Sequence, residues 1–392
     1  MSADAADVRL GVVVTADSSY GGAYQYTRTV IQALESSPYT PRYFYFDENW
    51  EDSALYGERW ERLSVPEQAL RYGASKLFER TGVDPAVLGS ARKALSPTLL
   101  RYDPDLTLYP TPSPMAFEVG FDYLMAIHDL QHRINPQFPE VSAGGEYRHR
   151  EYLFGRGSEH AAGILADSET GKQDVVRFYD VDESDVHVLP FVPPDYLDDA
   201  GNEVDDDLSE RLPDEYLFYP AQYWEHKNHV RLLEAVATLR DERGIETPLV
   251  LVGGEKNAYE DVQSAIDEND LGDLVHQLGY VENEAMYTLY TQATALVMPT
   301  FFGPTNIPVL EAFKLGCPVI TSDVHGIPEQ VGDAGLLVDP ESATDIADAV
   351  ERLWTDESLQ QRLAERGRER AETYTRDDFR DRLVDAISAS LN

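Results

Sequence analysis

The chain has 392 residues, of which 71 are acidic and 32 basic, giving a formal net charge of −39. A field of that sign repels phosphate backbones and anionic lipid, which excludes a nucleic-acid binder unless a local basic patch overrides it. With 42% hydrophobic and 10% aromatic residues the chain is no acidic disordered tract, and its length suits two or three domains of about 150 residues.

Only six of the basic residues are lysines, at positions 76, 93, 172, 227, 256 and 314. Excess carboxylate with little lysine fits a halophilic protein in multimolar salt, where screening shortens to about 3 Å. An acidic protein of ordinary medium, or one with a cationic partner, is the other reading. The single cysteine, Cys317, allows neither an intramolecular disulfide nor a thiolate-rich metal site. No apolar run approaches the roughly 20 residues of a membrane span. Residues 1–7 lack the basic and apolar regions of a signal peptide, so a cytoplasmic location is expected.

In chain order, residues 9–15, 43–46, 106–109, 123–128, 163–167 and 186–190 are short β-branched apolar runs, with helical patterns between several of them, and predict strands in βαβ rhythm. The first ends in a loop carrying Gly21 and Gly22, where bare backbone N–H groups at a helix start can meet an anion. A tight turn is the alternative, and the dinucleotide spacing G-x-G-x-x-G is absent. The fourth run delivers His128 at a strand exit, beside Asp129, His132 and Arg133. His128 is either a structural histidine or a side chain reaching into a site. The H-x-x-x-H spacing of His128 and His132 lacks a third ligand, so no metal is expected.

Residues 193–213 are proline-flanked and acidic, and predict a linker or surface excursion. A second rhythm follows, with strands predicted at 216–219, 249–252, 275–278, 295–298, 319–321 and 336–338, and helices at 230–240, 258–267, 283–292 and 307–315. After Pro340 the chain reads as helices at 343–354, 357–372 and 376–391. Two doubly wound parallel sheets, one per half, satisfy this order, and ligands in such sheets bind on the loops leaving the strands' carboxyl ends. Those loops carry Gln222 and Lys227 after the first strand of the second half, Gly253 and Gly254 after the next, and Gly303, Thr305, Asn306 and Ile307 ahead of a helix containing Glu311. A compact ammonium near a helix start suits a diphosphate. A glutamate within the apolar run Val309, Leu310, Ala312, Phe313 is costly unless paired, and can accept both hydroxyls of a ribose.

Taken together, Gly21-Gly22, His128-Asp129, ADSETGK (166–172), Lys227-Asn228, LVGG (251–254), LGYVENE (278–284), NIPVLEAFKLGCPVITSD (306–323) and GIPEQVGDAGLLVDP (326–340) resemble family 4 of the retaining glycosyltransferases over nearly the whole chain. The resemblance implies the GT-B fold: α/β, with two facing Rossmann-like domains of doubly wound parallel sheet and a C-terminal crossover helix. Residues 1–194 would bind the acceptor, 195–213 would link, 214–374 would bind the nucleotide sugar, and a helix near 375–392 would pack back on the first domain. It also implies a metal-independent hexosyltransferase without cofactor, using a nucleotide-diphosphate sugar as co-substrate and an acceptor glycan or lipid-linked sugar. Lys227 would bind the diphosphate and Glu311 the ribose, while His128 would lie beside the transferred sugar. Amides around Gly303–Ile307 would cradle sugar and β-phosphate, and Tyr280 and Val281, after Gly279, would lie near the base.

Two positions depart from the family pattern. Gly303 stands where the first of two glutamates eight apart is usual, and Gln222 where an arginine precedes the diphosphate lysine by five. FGPTNIP (302–308) looks like a recurring subfamily variant, with Thr305 and Asn306 as substitute donors and His226 as substitute charge. From Arg59 to Arg101 the chain carries eight basic and four acidic residues interleaved with apolar ones, which predicts either a peripheral membrane contact at the inner face or a solvated helical insertion. A sugar-nucleotide 2-epimerase of the same architecture and a non-catalytic nucleotide-sugar-binding protein are the alternatives.

Overall fold

Runs of apolar residues without polar alternation can be satisfied only in strands covered on both faces, and β-sheets of this kind organise both halves of the chain. A computed structural model describes residues 5–15, 21–46, 57–63, 96–198, 204–303 and 305–391. They fall into two units, Met1–Phe191 with Arg376–Asn392, and Val192–Thr375.

In the first unit β1 (Leu10–Val14), β2 (Arg42–Tyr45), β3 (Trp60–Arg62), β4 (Leu106–Tyr109), β5 (Tyr123–Ile127), β6 (Gly163–Ala166) and β7 (Val186–Val188) form one parallel sheet in the order β3-β2-β1-β4-β5-β6-β7. Every residue of β1, β4, β5 and β6 is buried. In the second unit β8 (Leu217–Pro220), β9 (Leu249–Val252), β10 (Val275–Gly279), β11 (Ala295–Met298), β12 (Val319–Ser322) and β13 (Gly335–Val338) form another, in the order β10-β9-β8-β11-β12-β13. Strand order therefore reverses between β1 and β4 in one unit and between β8 and β11 in the other, which marks the ligand-prone crevice of each sheet.

The described structure departs from the sequence reading in two places. β3 was not anticipated, because a three-residue edge strand lies inside the basic window. Trp60 stacks on Tyr43 at 4.8 Å and 20°, Arg59 pairs with Glu35, and Arg101 pairs with Glu61. The rest of that window, residues 64–95, lies outside the described residues. No helix among the described residues is long and apolar enough to cross a membrane.

The expected linker, in turn, is tied to the second unit. Asp205 caps a short helix (Asp206–Ser209) by accepting from the Leu208 N–H at 3.0 Å, and its own N–H donates to Thr288 Oγ1 at 2.8 Å. Leu208 joins the second core, and Gln292 donates to Ser209 Oγ at 2.6 Å. Asp205 here is a cap, which composition alone does not distinguish from a solvated aspartate. The C-terminal helix (Arg376–Ser390) belongs to the first unit, where the resemblance puts it. Phe379 is buried near Tyr26, with ring centroids 6.0 Å apart, Tyr39 and Ser388 share a hydrogen bond of 2.9 Å, and a side chain at Gly163 would collide with the Ser390 hydroxyl.

Close backbone approach also explains one of the paired glycines after β9. Gly253 has φ 150°, and a β-carbon there would run into the Ala221 carbonyl and lie 2.7 Å from the Gln222 nitrogen. Gly254 has open space. Gly253→Ala should lower the unfolding free energy by about 3 kcal/mol, whereas Gly254→Ala should change it by less than about 0.5 kcal/mol; urea titrations of both variants check the contrast.

Candidate functional site

The loops leaving β8 and β11 flank the switch point of the second sheet, and they are stitched to each other. The carbonyl of His226 accepts from the Phe301 N–H at 2.8 Å and from Thr300 Oγ1 at 3.1 Å, and the His226 ring stacks on Phe302 at 3.9 Å and 11°. Asn228 sits at φ 62°, a left-handed conformation that asparagine tolerates better than most residues. Its buried amide donates to the carbonyls of Pro299 and Pro340, each at 2.8 Å, so the exits of β8, β11 and β13 are held by one side chain.

Lys227 closes the 3-10 turn Glu225–Lys227, one residue before Asn228 and two before the helix His229–Arg243. Its backbone carbonyl accepts from the Tyr219 hydroxyl at 2.8 Å, which fixes the main chain from which the half-buried ammonium projects. Gln222, where a second cation was expected, instead accepts from Trp224 Nε1 at 3.0 Å. Next along the chain His229 is buried between Tyr219 and Tyr223, with ring centroids at 4.7 and 4.8 Å. Burial, then the Lys227 charge and His226, pull its imidazole down to about 3, against an opposing contribution from the Ala221 backbone.

On the β11 side Gly303 has φ 135°, and a β-carbon would come 2.5 Å from Asn306 Oδ1. A glutamate at 303 would not fit this loop as folded. Three groups of Asn306 hold it: Nδ2 donates to the Gly303 carbonyl at 2.9 Å, the backbone N–H donates to Gln330 Oε1 at 3.0 Å, and the backbone carbonyl accepts from Gln330 Nε2 at 2.9 Å. The Asn306 amide is therefore committed to Gln330 rather than open to a ligand. Thr305 is half-buried in the same loop, and Pro304 lies outside the described residues. Ile307 opens the helix Ile307–Leu315; Pro308 has no N–H and the Val309 N–H donates to the Asn306 carbonyl at 3.1 Å, which leaves the Ile307 N–H as the one first-turn donor with no acceptor in its own helix.

Glu311 lies in that helix with 6% of its surface exposed. Its Oε1 accepts from the Tyr196 hydroxyl at 2.5 Å and its Oε2 from the Tyr290 hydroxyl at 2.6 Å. Burial pushes this carboxyl above its ordinary value, and the two phenols pull the other way. Neither tyrosine was singled out in the sequence: Tyr196 sits in the presumed linker, and Tyr290 reads as an apolar position of its helix. Gly279 ends β10 with φ 68°; after it Tyr280 is 77% exposed, and Val281 packs against the second core.

In the first unit Gly21 (φ 53°) precedes the helix Gly22–Glu35, and residues 16–20 of that loop lie outside the described residues. His128 follows β5 and stands edge-on to Tyr26 at 4.7 Å and Phe191 at 5.6 Å, with Nε2 3.0 Å from the Pro110 carbonyl. A carbonyl only accepts, so Nε2 carries the proton and Nδ1 keeps a lone pair. Burial draws this imidazole below its usual value, with Asp129 and the Pro110 carbonyl opposing, so His128 is a neutral acceptor rather than a cation.

Asp129 Oδ1 accepts from the Gln131 N–H and from Arg150, both at 2.9 Å. Burial alone would push the Asp129 carboxyl up, but Arg150, the Gln131 amide and the two nearby histidines outweigh it and hold the carboxyl below its ordinary value. His132 and Arg133 do not join His128. His132 is buried with Nε2 2.7 Å from Glu151 Oε1, and Arg133 Nε donates to the same oxygen at 2.6 Å. Their carboxylate partner comes from the helix Glu146–Glu159, which local sequence could not reveal.

With this geometry in place, residues 202–370 match the model of the family described as "Glycosyl transferases group 1". The chain is 29% identical over 171 residues to the O-antigen chain mannosyltransferase B of Escherichia coli, covering 44% of this chain and 45% of that one. It is 28% identical over 211 residues to the alpha-D-kanosaminyltransferase of Streptomyces kanamyceticus, covering 52% and 54%. Within these matches the chain spans about half the length of each relative. In structure it is similar to the sucrose-phosphate synthase of Thermosynechococcus elongatus, with TM-score 0.70, 22% identity and coverage of 93% and 94%. The fold is that of the GT-B glycosyltransferases, two Rossmann-like parallel-sheet domains.

His229 yields a pH prediction. Its native-state value of about 3 lies below the ordinary 6.5, so between these values the unfolded state binds more protons, and stability falls as pH drops through that window. His229→Phe, which keeps a ring in the stack, should lose about 2 kcal/mol less than wild type between pH 7 and 4.5, measured as urea unfolding free energies at the two pH values.

Proposed function

We propose that the chain is a retaining glycosyltransferase that moves a hexose-type sugar from a nucleotide-diphosphate sugar to an acceptor hydroxyl on a lipid-linked or cell-surface glycan intermediate. The observation that carries this reading is the stitched pair of loops at the β8/β11 switch point, which lies inside the segment matching the group 1 model and sets Lys227 beside a helix start. The two relatives are named for sugar transfer, which speaks for transfer over 2-epimerisation.

In this reading the donor's anomeric C–O bond to the diphosphate breaks and a C–O bond to the acceptor forms on the same face. The acceptor's proton passes to the departing phosphate oxygen. Lys227 and the Ile307 N–H at the start of Ile307–Leu315 stabilise the charge that collects on the leaving diphosphate, a role for which the chemistry needs no metal. Glu311 accepts the ribose hydroxyls. Neutral His128, in the first unit, is suited to accept a hydrogen bond at Nδ1 rather than to act as a cation. With Gln222 in place of a cation, more of the diphosphate's charge falls on Lys227 itself.

Lys227→Ala should therefore lower kcat about 100-fold with saturating donor, as expected for losing one desolvated charge contact in the transition state. The measurement is turnover of a nucleotide-sugar panel with a glycan acceptor in high potassium chloride. Near wild-type turnover by the variant would remove Lys227 from the mechanism. Donor binding without consumption by wild type would leave a non-catalytic binding protein, and donor turnover without acceptor would point to the epimerase.

A further inference from the structure

Glu311, Tyr196 and Tyr290 come from three separate places in the second unit: the helix Ile307–Leu315, the turn Asp195–Asp198 and the helix Asn283–Gln292. A buried carboxylate is tolerated only when its oxygens are hydrogen-bonded, and here each oxygen has one phenol, at 2.5 and 2.6 Å. Neither phenol is loosely held. The Tyr290 ring is buried and packs edge-on against Phe218 of β8, at 4.9 Å and 86°, and Tyr196 is followed at once by buried Leu197.

An ionised carboxylate offers about four acceptor positions, two on each oxygen. One phenol on each oxygen therefore leaves one acceptor position on each oxygen of the same group. That arrangement suits a vicinal diol, in which two adjacent hydroxyls donate together. A single phenol, or two phenols on one oxygen, would leave the carboxylate freer to rotate and its remaining acceptors unequal.

We propose that Tyr196 and Tyr290 are positioning residues that hold Glu311 as an oriented acceptor for the vicinal hydroxyls of a nucleotide ribose, so that the turn Asp195–Asp198 is part of the nucleotide site. This rests on the reading that Glu311 contacts ribose. It goes beyond that reading by assigning the orientation to two tyrosines, one of them in a segment whose sequence reads as a linker.

The test measures, by titration calorimetry, the affinities of UDP, GDP and ADP and of their 2′,3′-dideoxy counterparts for the full chain. Wild type should prefer the ribose form of the nucleotide it binds by about tenfold or more, and Glu311→Gln should bring the ratio close to one. Tyr196→Phe and Tyr290→Phe should each cut the preference severalfold while leaving the dideoxy affinity within about twofold of wild type, a change in ratio that a purely structural role would not produce. Folded phenylalanine variants that keep the wild-type ratio, with Glu311→Gln losing it, overturn the proposal and leave the ribose reading intact. A wild type that binds none of the three nucleotides, or that shows no ribose preference, overturns both. Tyr290 is the more deeply buried of the two, so if Tyr290→Phe does not fold, the half-buried Tyr196 decides.

Discussion

The second unit's ligand face depends on Asn228. Its amide ties together the exits of three strands by donating to two buried proline carbonyls, and its left-handed backbone turns the chain from the Lys227 turn into a helix. Prolines 299 and 340 have no N–H of their own, and their carbonyls, in buried hydrogen bonds, take this side chain as donor. A single short amide serves both. With that joint in place, His226 can offer its carbonyl to Thr300 and Phe301 and its ring to Phe302, and the lysine between them is carried on a fixed main chain.

The charge of −39 gains meaning against this frame. Many of the acidic side chains do structural work at helix starts or in ion pairs with arginine, as Asp205 and Asp356 do as caps and Glu35, Glu61 and Glu151 do as arginine partners. Glu311 is different, being buried in the core-facing helix with phenols and no cation as its hydrogen-bond partners. Phenols lower the cost of a buried anion without neutralising it, which keeps an acceptor available where a salt bridge would have consumed it. The contrast with Glu151, whose oxygens go to Arg133 and His132, separates a carboxylate that builds the fold from one suited to a ligand.

Much of the fold was legible in the sequence because parallel, fully buried strands are written as uninterrupted apolar runs. The runs at 106–109, 249–252 and 295–298 coincide with β4, β9 and β11, and the periodic stretches at 283–292, 307–315, 343–354 and 357–372 coincide with helices end to end. β3 escaped because three residues at a sheet edge carry too short a pattern, and because Trp60 between charged neighbours looks like a surface residue. The segment after Phe191 escaped for another reason: capping aspartates and solvated aspartates have the same composition. At the site, Lys227, Gly253, Gly303, Asn306 and Glu311 could be picked out by strand-exit position. What each side chain touches could not.

The sequence by itself determined the two parallel sheets and the loops that must carry chemistry, since those follow from local periodicity and the order of elements along the chain. Only the tertiary structure decided which polar groups meet. It sent His132 and Arg133 to a carboxylate 19 and 18 positions away, spent the amide of Asn306 on Gln330, and brought Tyr196 across 115 positions to Glu311. The physical reason is that a hydrogen bond is fixed by a few tenths of an ångström and a direction, and partners so far apart in sequence reach that geometry only after the sheets and helices have packed.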